Sequence, residues 1–217
     1  HSFIDVLAAL HSIDPAEVGL DDLGRHDGYV ARQLRTWYGS WTASVEHAGY
    51  DDPRVHRVHD ELADAIPAAG PARLVHGDYG PHNSLFSATG DVEAVLDWEI
   101  ATLGDPLADF AYTINAWAEP ADADGAADPA TALPGFPSRA ELIDRYAAAT
   151  GADLRHLGFY RSFNMWKTAC ILHGVYARYR AGQKDTTGVD LHGLFQRMLV
   201  AVDAAASMWE HPGGGTA

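Results

Sequence analysis

Val75-His76-Gly77-Asp78-Tyr79-Gly80-Pro81-His82-Asn83, followed by Val95-Leu96-Asp97-Trp98-Glu99, decides how this chain is read. The two segments set a carboxylate, an amide and a second carboxylate at short fixed spacings, each beside an apolar run. Arg73–His76, Ser84–Ser87 and Val92–Leu96 are too short for helices and read as strands. Thr89-Gly90-Asp91 is a turn signal between the last two, which predicts a hairpin. Asp78 then stands on a loop at one strand end, and Asp97 closes another strand.

Around this core the pattern is helical. Phe3, Val6, Leu7 and Leu10 predict a helix over 2–12, stopped at Asp14-Pro15. A longer helix is expected over 26–48, with Tyr29, Leu34, Trp37, Trp41 and Val45 on one face. Another starts at Asp51-Asp52-Pro53 and runs through Ile66 to Pro67. Pro106 suits the first turn of a helix over 105–117. Residues 118–137 are rich in Ala, Asp, Gly and Pro and read as a long surface loop. Ser138-Arg139-Ala140-Glu141 has capping-box spacing and opens a helix that ends at Gly151. Helices over 153–180 and 190–209 complete the chain, with a disordered tail over 211–217. The fold class expected is α+β and mostly helical. The helices from residue 138 onward, with the 118–137 loop, are expected to wall an acceptor pocket.

Bulk properties narrow the function. The 217 residues are 47% hydrophobic, enough for one substantial core. No run of apolar residues reaches membrane-spanning length, and no secretory leader is seen. The opening inside a helical pattern, without a methionine, reads as a fragment. Fifteen basic against thirty acidic residues give a net charge of −15, which disfavours nucleic acid and anionic membrane as partners. The lone Cys170 excludes an internal disulfide, reads as a small buried apolar residue, and fits a reducing, cytoplasmic compartment. The histidines show no HxH or HExxH pattern, so a histidine zinc site is not expected. No G-x-S-x-G elbow, Walker loop or G-x-G-x-x-G unit occurs.

The central triple fits phosphoryl transfer, which needs one Asp to orient and deprotonate a hydroxyl and an Asn and an Asp to hold magnesium. Each residue alone has a plainer reading: Asp78 as a turn or cap, Asn83 as a turn former, Asp97 as a strand-end cap. Their combination is what favours the chemical reading. His76 is expected to fix the loop backbone, and Gly77 to relieve strain where the loop turns. His82 faces either substrate or solvent. Asp105 reads as a helix cap, and Asp109 either serves the helix terminus or reaches back to the loop.

His76-Gly77-Asp78-x-x-x-x-Asn83 with Leu96-Asp97-Trp98-Glu99 resembles the aminoglycoside phosphotransferase and choline kinase superfamily, whose fold is similar to that of protein kinases. The longer string from Ala94 to Tyr112, with Gly28-Tyr29-x-x-Arg32-Gln33 and Trp37 to Trp41, resembles the branch found beside or fused to acyl-CoA dehydrogenases. The resemblance covers residues 1–210 and implies a kinase-like C-terminal lobe. It implies Asp78 as catalytic base, His76 as support of the loop, and Asn83 and Asp97 as magnesium ligands. ATP and Mg2+ are implied as cosubstrate and cofactor, with a small hydroxylated acceptor. The family's N-terminal lobe supplies a phosphate-binding loop and a strand lysine. Lys167 and Lys184 lie in the wrong contexts for that lysine, so the chain alone is expected to turn over little. The alternative is a non-catalytic module that works with an acyl-CoA dehydrogenase-type partner.

Overall fold

The structure, a computed structural model, describes residues 1–120, 122 and 129–210. The expected tail at 211–217 and part of the expected surface loop lie outside the described residues. In chain order the helices are α1 (Ser2–Ser12), α2 (Tyr29–Ala48), α3 (Pro53–Asp64), α4 (Pro106–Ala116), α5 (Arg139–Thr150), α6 (Leu157–Arg180) and α7 (Leu191–Glu210). Four short strands interrupt them: β1 (Arg73–Val75), β2 (Ser84–Phe86), β3 (Val92–Val95) and β4 (Thr102–Gly104). The fold is α+β, mostly helical, with two small antiparallel sheets, as a kinase-like C-terminal lobe requires.

α6 is the axis of the molecule. Phe163, Trp166, Ala169, Cys170 and His173 are buried along it, and α2, α4 and α7 pack around it. A helix apolar on most of its circumference belongs in a core. Trp166 and Trp41 are core residues and not a ligand platform. Their indole N–H groups donate to Val55 O at 2.9 Å and to Asp51 Oδ1 at 2.8 Å. Buried indoles require such partners. The expected reading of Cys170 as a buried apolar residue also holds.

Local chemistry sets the helix starts. Asp52 caps α3 through Arg54 N, and Asp105 caps α4 through Leu107 N, each followed by proline. The capping box at Ser138 and Glu141 is complete, and Gly151 ends α5 in a left-handed conformation. Three expected boundaries move. α2 starts at Tyr29 because Gly28 is left-handed (φ 62°). α3 stops at Asp64, since a residue before Pro67 resists helical geometry. α6 starts at Leu157, because Asp153 turns the chain by accepting from Arg155 N.

β2 and β3 form the expected hairpin, with Ser84 opposite Val95. β4 was not expected: it pairs antiparallel with β1, Leu74 opposite Leu103. Three residues carry no periodicity, and partners far apart in sequence define this strand. Gly104 permits the pairing at close quarters, since a Cβ there would lie 2.8 Å from Val75 Cγ2 and 2.9 Å from Tyr29 Cε2. The described residues at the two ends of the 118–137 segment are anchored to each other and to the fold. Thr131 is buried and bridges back to Ala118 N at 2.7 Å, and Arg139 Nε donates to Trp117 O at 2.8 Å.

Candidate active site

The loop after β1 is held from below by one carboxylate. Asp109, buried on the first turn of α4, accepts from His76 N and Gly77 N, both at 2.8 Å. It also takes His11 Nε2 at 3.2 Å, and His11 Nδ1 meets Tyr146 OH at 2.7 Å. Burial alone would raise the Asp109 pKa. The bonds from His11 and the two amides outweigh it and hold the group below the usual carboxylate range. So Asp109 reaches back to the loop, the second of its two readings. His11 had no assigned part, and Tyr146 was expected only as an aromatic on a helix that walls the acceptor pocket. They are 135 residues apart in sequence, and no local pattern links them.

Gly77 turns the loop at φ 85°, a conformation that suits glycine. A Cβ there would also crowd Ile100 Cδ1 at 3.1 Å. The buried His76 ring ties the loop to the neighbouring strand: Nε2–H donates to Leu96 O at 2.8 Å, and Nδ1 accepts from Asp78 N at 3.3 Å. These two bonds fix the tautomer. Leu96 immediately precedes Asp97, so one imidazole links the backbone at both aspartates.

Asp78 stands half-exposed at the loop tip with its carboxylate constrained. Asn83 Nδ2 donates to Asp78 Oδ2 at 3.1 Å and to Asp78 O at 3.0 Å. The Tyr112 hydroxyl donates to Oδ1, and His82 Nε2 lies 3.4 Å from the same oxygen. Hence His82 faces the carboxylate while its ring remains about half exposed. Burial, then the bond to Asp78, pushes the Tyr112 pKa well up, which keeps the phenol a neutral donor. Tyr112 is a site residue that the sequence reading quoted without a role. Its signal is the interval of three from Asp109, which puts both on one face of α4.

Asn83 and Asp97 lie at the same end of the hairpin. Leu96 N donates to Asn83 O at 2.8 Å, which continues the Ser84–Val95 register outward. Both side-chain bonds of Asn83 use its nitrogen, so its carbonyl oxygen is left for another partner. Asp97 is exposed and left-handed (φ 62°), alone among the described non-glycine residues. Such a conformation costs an aspartate on the order of 1 kcal/mol and is characteristic of functional turns. Among the described residues no three His, Cys, Asp or Glu side chains gather as a metal cage. A neutral amide oxygen and one carboxylate suit a hard cation that also takes phosphate and water oxygens.

The wall beside Asp78 is built from α4 and α6. A cleft of about 120 Å³ opens there, lined by Tyr112, Asn115, Asn164 and Thr168 among others. Asn115 accepts from Arg161 Nε at 2.9 Å, and Asn164 Nδ2 donates to Ala108 O at 2.7 Å, so both amides are fixed. Lys167 lies near this wall; burial lowers its pKa, with Asp109 and Asp78 opposing. On the helices expected to wall an acceptor pocket, Tyr146, Phe159, Tyr160, Phe163 and Trp166 are buried in the core.

The chain is similar to several known proteins. Acyl-CoA dehydrogenase family member 10 of Mus musculus is 33% identical over 193 residues, 87% of this chain and 18% of its own length. Acyl-CoA dehydrogenase family member 11 of Gallus gallus is 36% identical over 187 residues, 82% of this chain and 24% of its own length. The chain thus spans about a quarter or less of these curated relatives. The crystal structure of a putative aminoglycoside phosphotransferase from Ralstonia eutropha JMP134 superposes with a TM-score of 0.80 at 31% identity. It covers 97% of this chain and 63% of that one. The family model described as "Phosphotransferase enzyme family" matches residues 1–160, and the chain belongs to that family.

Proposed function

We propose that this chain is the catalytic and acceptor-binding lobe of an ATP-dependent phosphotransferase that phosphorylates a hydroxyl of a small molecule. The observation that carries the reading is the Asp78 carboxylate, gripped by Asn83 and Tyr112 near the hairpin end where Asp97 stands exposed. Asp78 accepts the acceptor's hydroxyl proton and aims its oxygen. As the new O–P bond forms, the bond from the terminal phosphorus to the nucleotide's bridging oxygen breaks, and the proton passes to Asp78. Asn83 Oδ1 and the Asp97 carboxylate would hold Mg2+, which would supply charge neutralisation at the phosphates. His76 keeps the two aspartates in register through the backbone bonds at Leu96 and Asp78.

Residues 1–210 form the C-terminal lobe in this reading, and a nucleotide-gripping lobe completes the site in the parent protein. A cytoplasmic location and a hydroxylated acyl or other metabolic acceptor go with it. The names of the curated relatives support an acyl-CoA dehydrogenase-type partner. The test is transfer of labelled phosphate from Mg–ATP by the parent protein across a panel of hydroxylated acceptors. Asp78→Ala is expected to lower transfer about 10²-fold or more. Unchanged transfer in that variant overturns the assignment. A protein that transfers nothing yet binds a dehydrogenase partner equally well as Asp78→Ala and Asp97→Ala is a binding module instead.

A further inference from the structure

A cavity lies away from the catalytic loop. It encloses about 720 Å³ between the end of α1, the 67–73 segment, the start of α4 and the α5–α6 connection. Small-molecule sites fall in that size range. Pro71, Pro106, Leu107 and Ala149 give it apolar walls, and Arg73, Asp105, Asp153 and Arg155 are its charged groups.

Those charges are not equivalent. Asp105 uses both oxygens within the fold, taking Leu107 N at 2.9 Å and Tyr160 OH at 2.6 Å. Asp153 accepts from Arg155 N at 3.0 Å and from its Nε at 2.5 Å, so that pair satisfies itself. Arg73 differs. Its guanidinium makes no side-chain hydrogen bond among the described residues, and the nearest carboxylate oxygen, on Asp14, is 3.9 Å away. The side chain is only 26% exposed. A guanidinium carries five donors in a fork matched to carboxylate or phosphate, and the long ion pair to Asp14 leaves that fork open to a closer anion. Among the charged groups of the lining, the one least engaged by the fold is therefore a cation, Arg73.

Its floor is wired to the catalytic loop. His11 and Tyr146 line the cavity and hold each other and Asp109, and Asp109 holds the amides of His76 and Gly77. An occupant packed against His11 and Tyr146 bears on Asp109 and so on the loop that carries Asp78. We propose that this cavity is a regulatory site for a small organic anion, with its carboxylate or phosphate on Arg73 and its apolar body on the proline and alanine walls.

The experiment is an amide NMR titration of this chain with benzoate and phenyl phosphate, with benzamide as the uncharged control. The anions are expected to give saturable shifts at Arg73 and Tyr160, and at His76 and Gly77 with the same midpoint. Arg73→Gln is expected to weaken binding about tenfold or more, the value of a charge-assisted hydrogen bond. Ala149 is exposed at the cavity edge, so Ala149→Trp fills the space without disturbing the core and is expected to abolish binding. Benzamide binding as well as benzoate, or unchanged affinity in Arg73→Gln, overturns the anion assignment. Shifts confined to the cavity overturn the link to the loop, and no saturable shift with either anion overturns the site.

Discussion

Asp109 shows how one residue serves both stability and the site. Its buried carboxylate holds His11 and two loop amides. Asp109→Ala leaves all three donors unpaired, and a broken buried charge network of this kind costs about 3–5 kcal/mol. Urea unfolding of the chain measures it, and a loss under about 1 kcal/mol would count against the network. The sign with pH follows from the lowered pKa. The unfolded carboxyl binds its proton first as pH falls, so the contribution is full above about pH 4 and fades in stronger acid. Tyr112→Phe is the gentler probe. It removes one donor to Asp78 and keeps the ring, so folding is expected to stay intact while phosphoryl transfer by the parent falls about tenfold. An unchanged kcat would show that Tyr112 merely packs there. The triple Asp78, Asn83, Asp97 was legible because the hairpin is local. Spacing alone places the three on one short run. His11 and Tyr146 were hidden because the tertiary fold alone brings them to Asp109.

Elements behave in the same way. α3, α4 and α5 were legible at their starts, since Asp52-Pro53, Asp105-Pro106 and the Ser138–Glu141 box are chemistry written in adjacent residues. β4 was not, because its pairing with β1 spans the whole hairpin and depends on the bare Cα of Gly104. The α3 cap carries a measurable consequence. Asp52 is buried and accepts from Arg54 N, Arg54 Nε and Nη2, and Tyr50 OH, at 2.6 to 3.0 Å. The Arg54 hydrogen bonds beside it pull its pKa down to about 2, against the opposing effect of burial. Asp52→Ala is expected to cost about 2 kcal/mol at neutral pH, for a lost cap and lost charge-assisted bonds. A carboxyl whose folded pKa is depressed stabilises above its unfolded value near 4 and stops doing so as pH falls through 2. The stability gap between wild type and Asp52→Ala is therefore expected to close between about pH 4 and pH 2. A gap that stays constant over that range would show that packing, and not charge, sets the cost.

At the scale of the molecule the two faces differ in finish. Around α6 the large side chains are covered, with Trp41, Trp166, Phe110 and Phe163 at or near zero exposure. Around the hairpin they are not: Leu85, Leu96, Trp98 and Ile100 stand 43–53% exposed beside Asp97 and the loop. Single exposed apolar residues are ordinary, but several so close in sequence fit a surface that a further part of the protein covers. The Ralstonia eutropha structure extends beyond the part this chain matches, which covers 63% of it. In the proposed reading the nucleotide-gripping lobe of the parent covers this face, buries the hairpin and brings a nucleotide against Asn83 and Asp97 at once. The chain alone is therefore expected to bind a hydrophobic dye at this face and to bind Mg–ATP weakly. Joining it to the proposed nucleotide-gripping lobe is expected to remove dye binding and restore nucleotide binding together, because both depend on one contact. Ile100→Glu tests that link, since a charge in the covered face weakens the contact without touching Asp78, Asn83 or Asp97. In the longer protein it is expected to return dye binding and to raise the Kd for Mg–ATP in parallel. Loss of one without the other would show that the exposed face and the nucleotide site belong to separate functions.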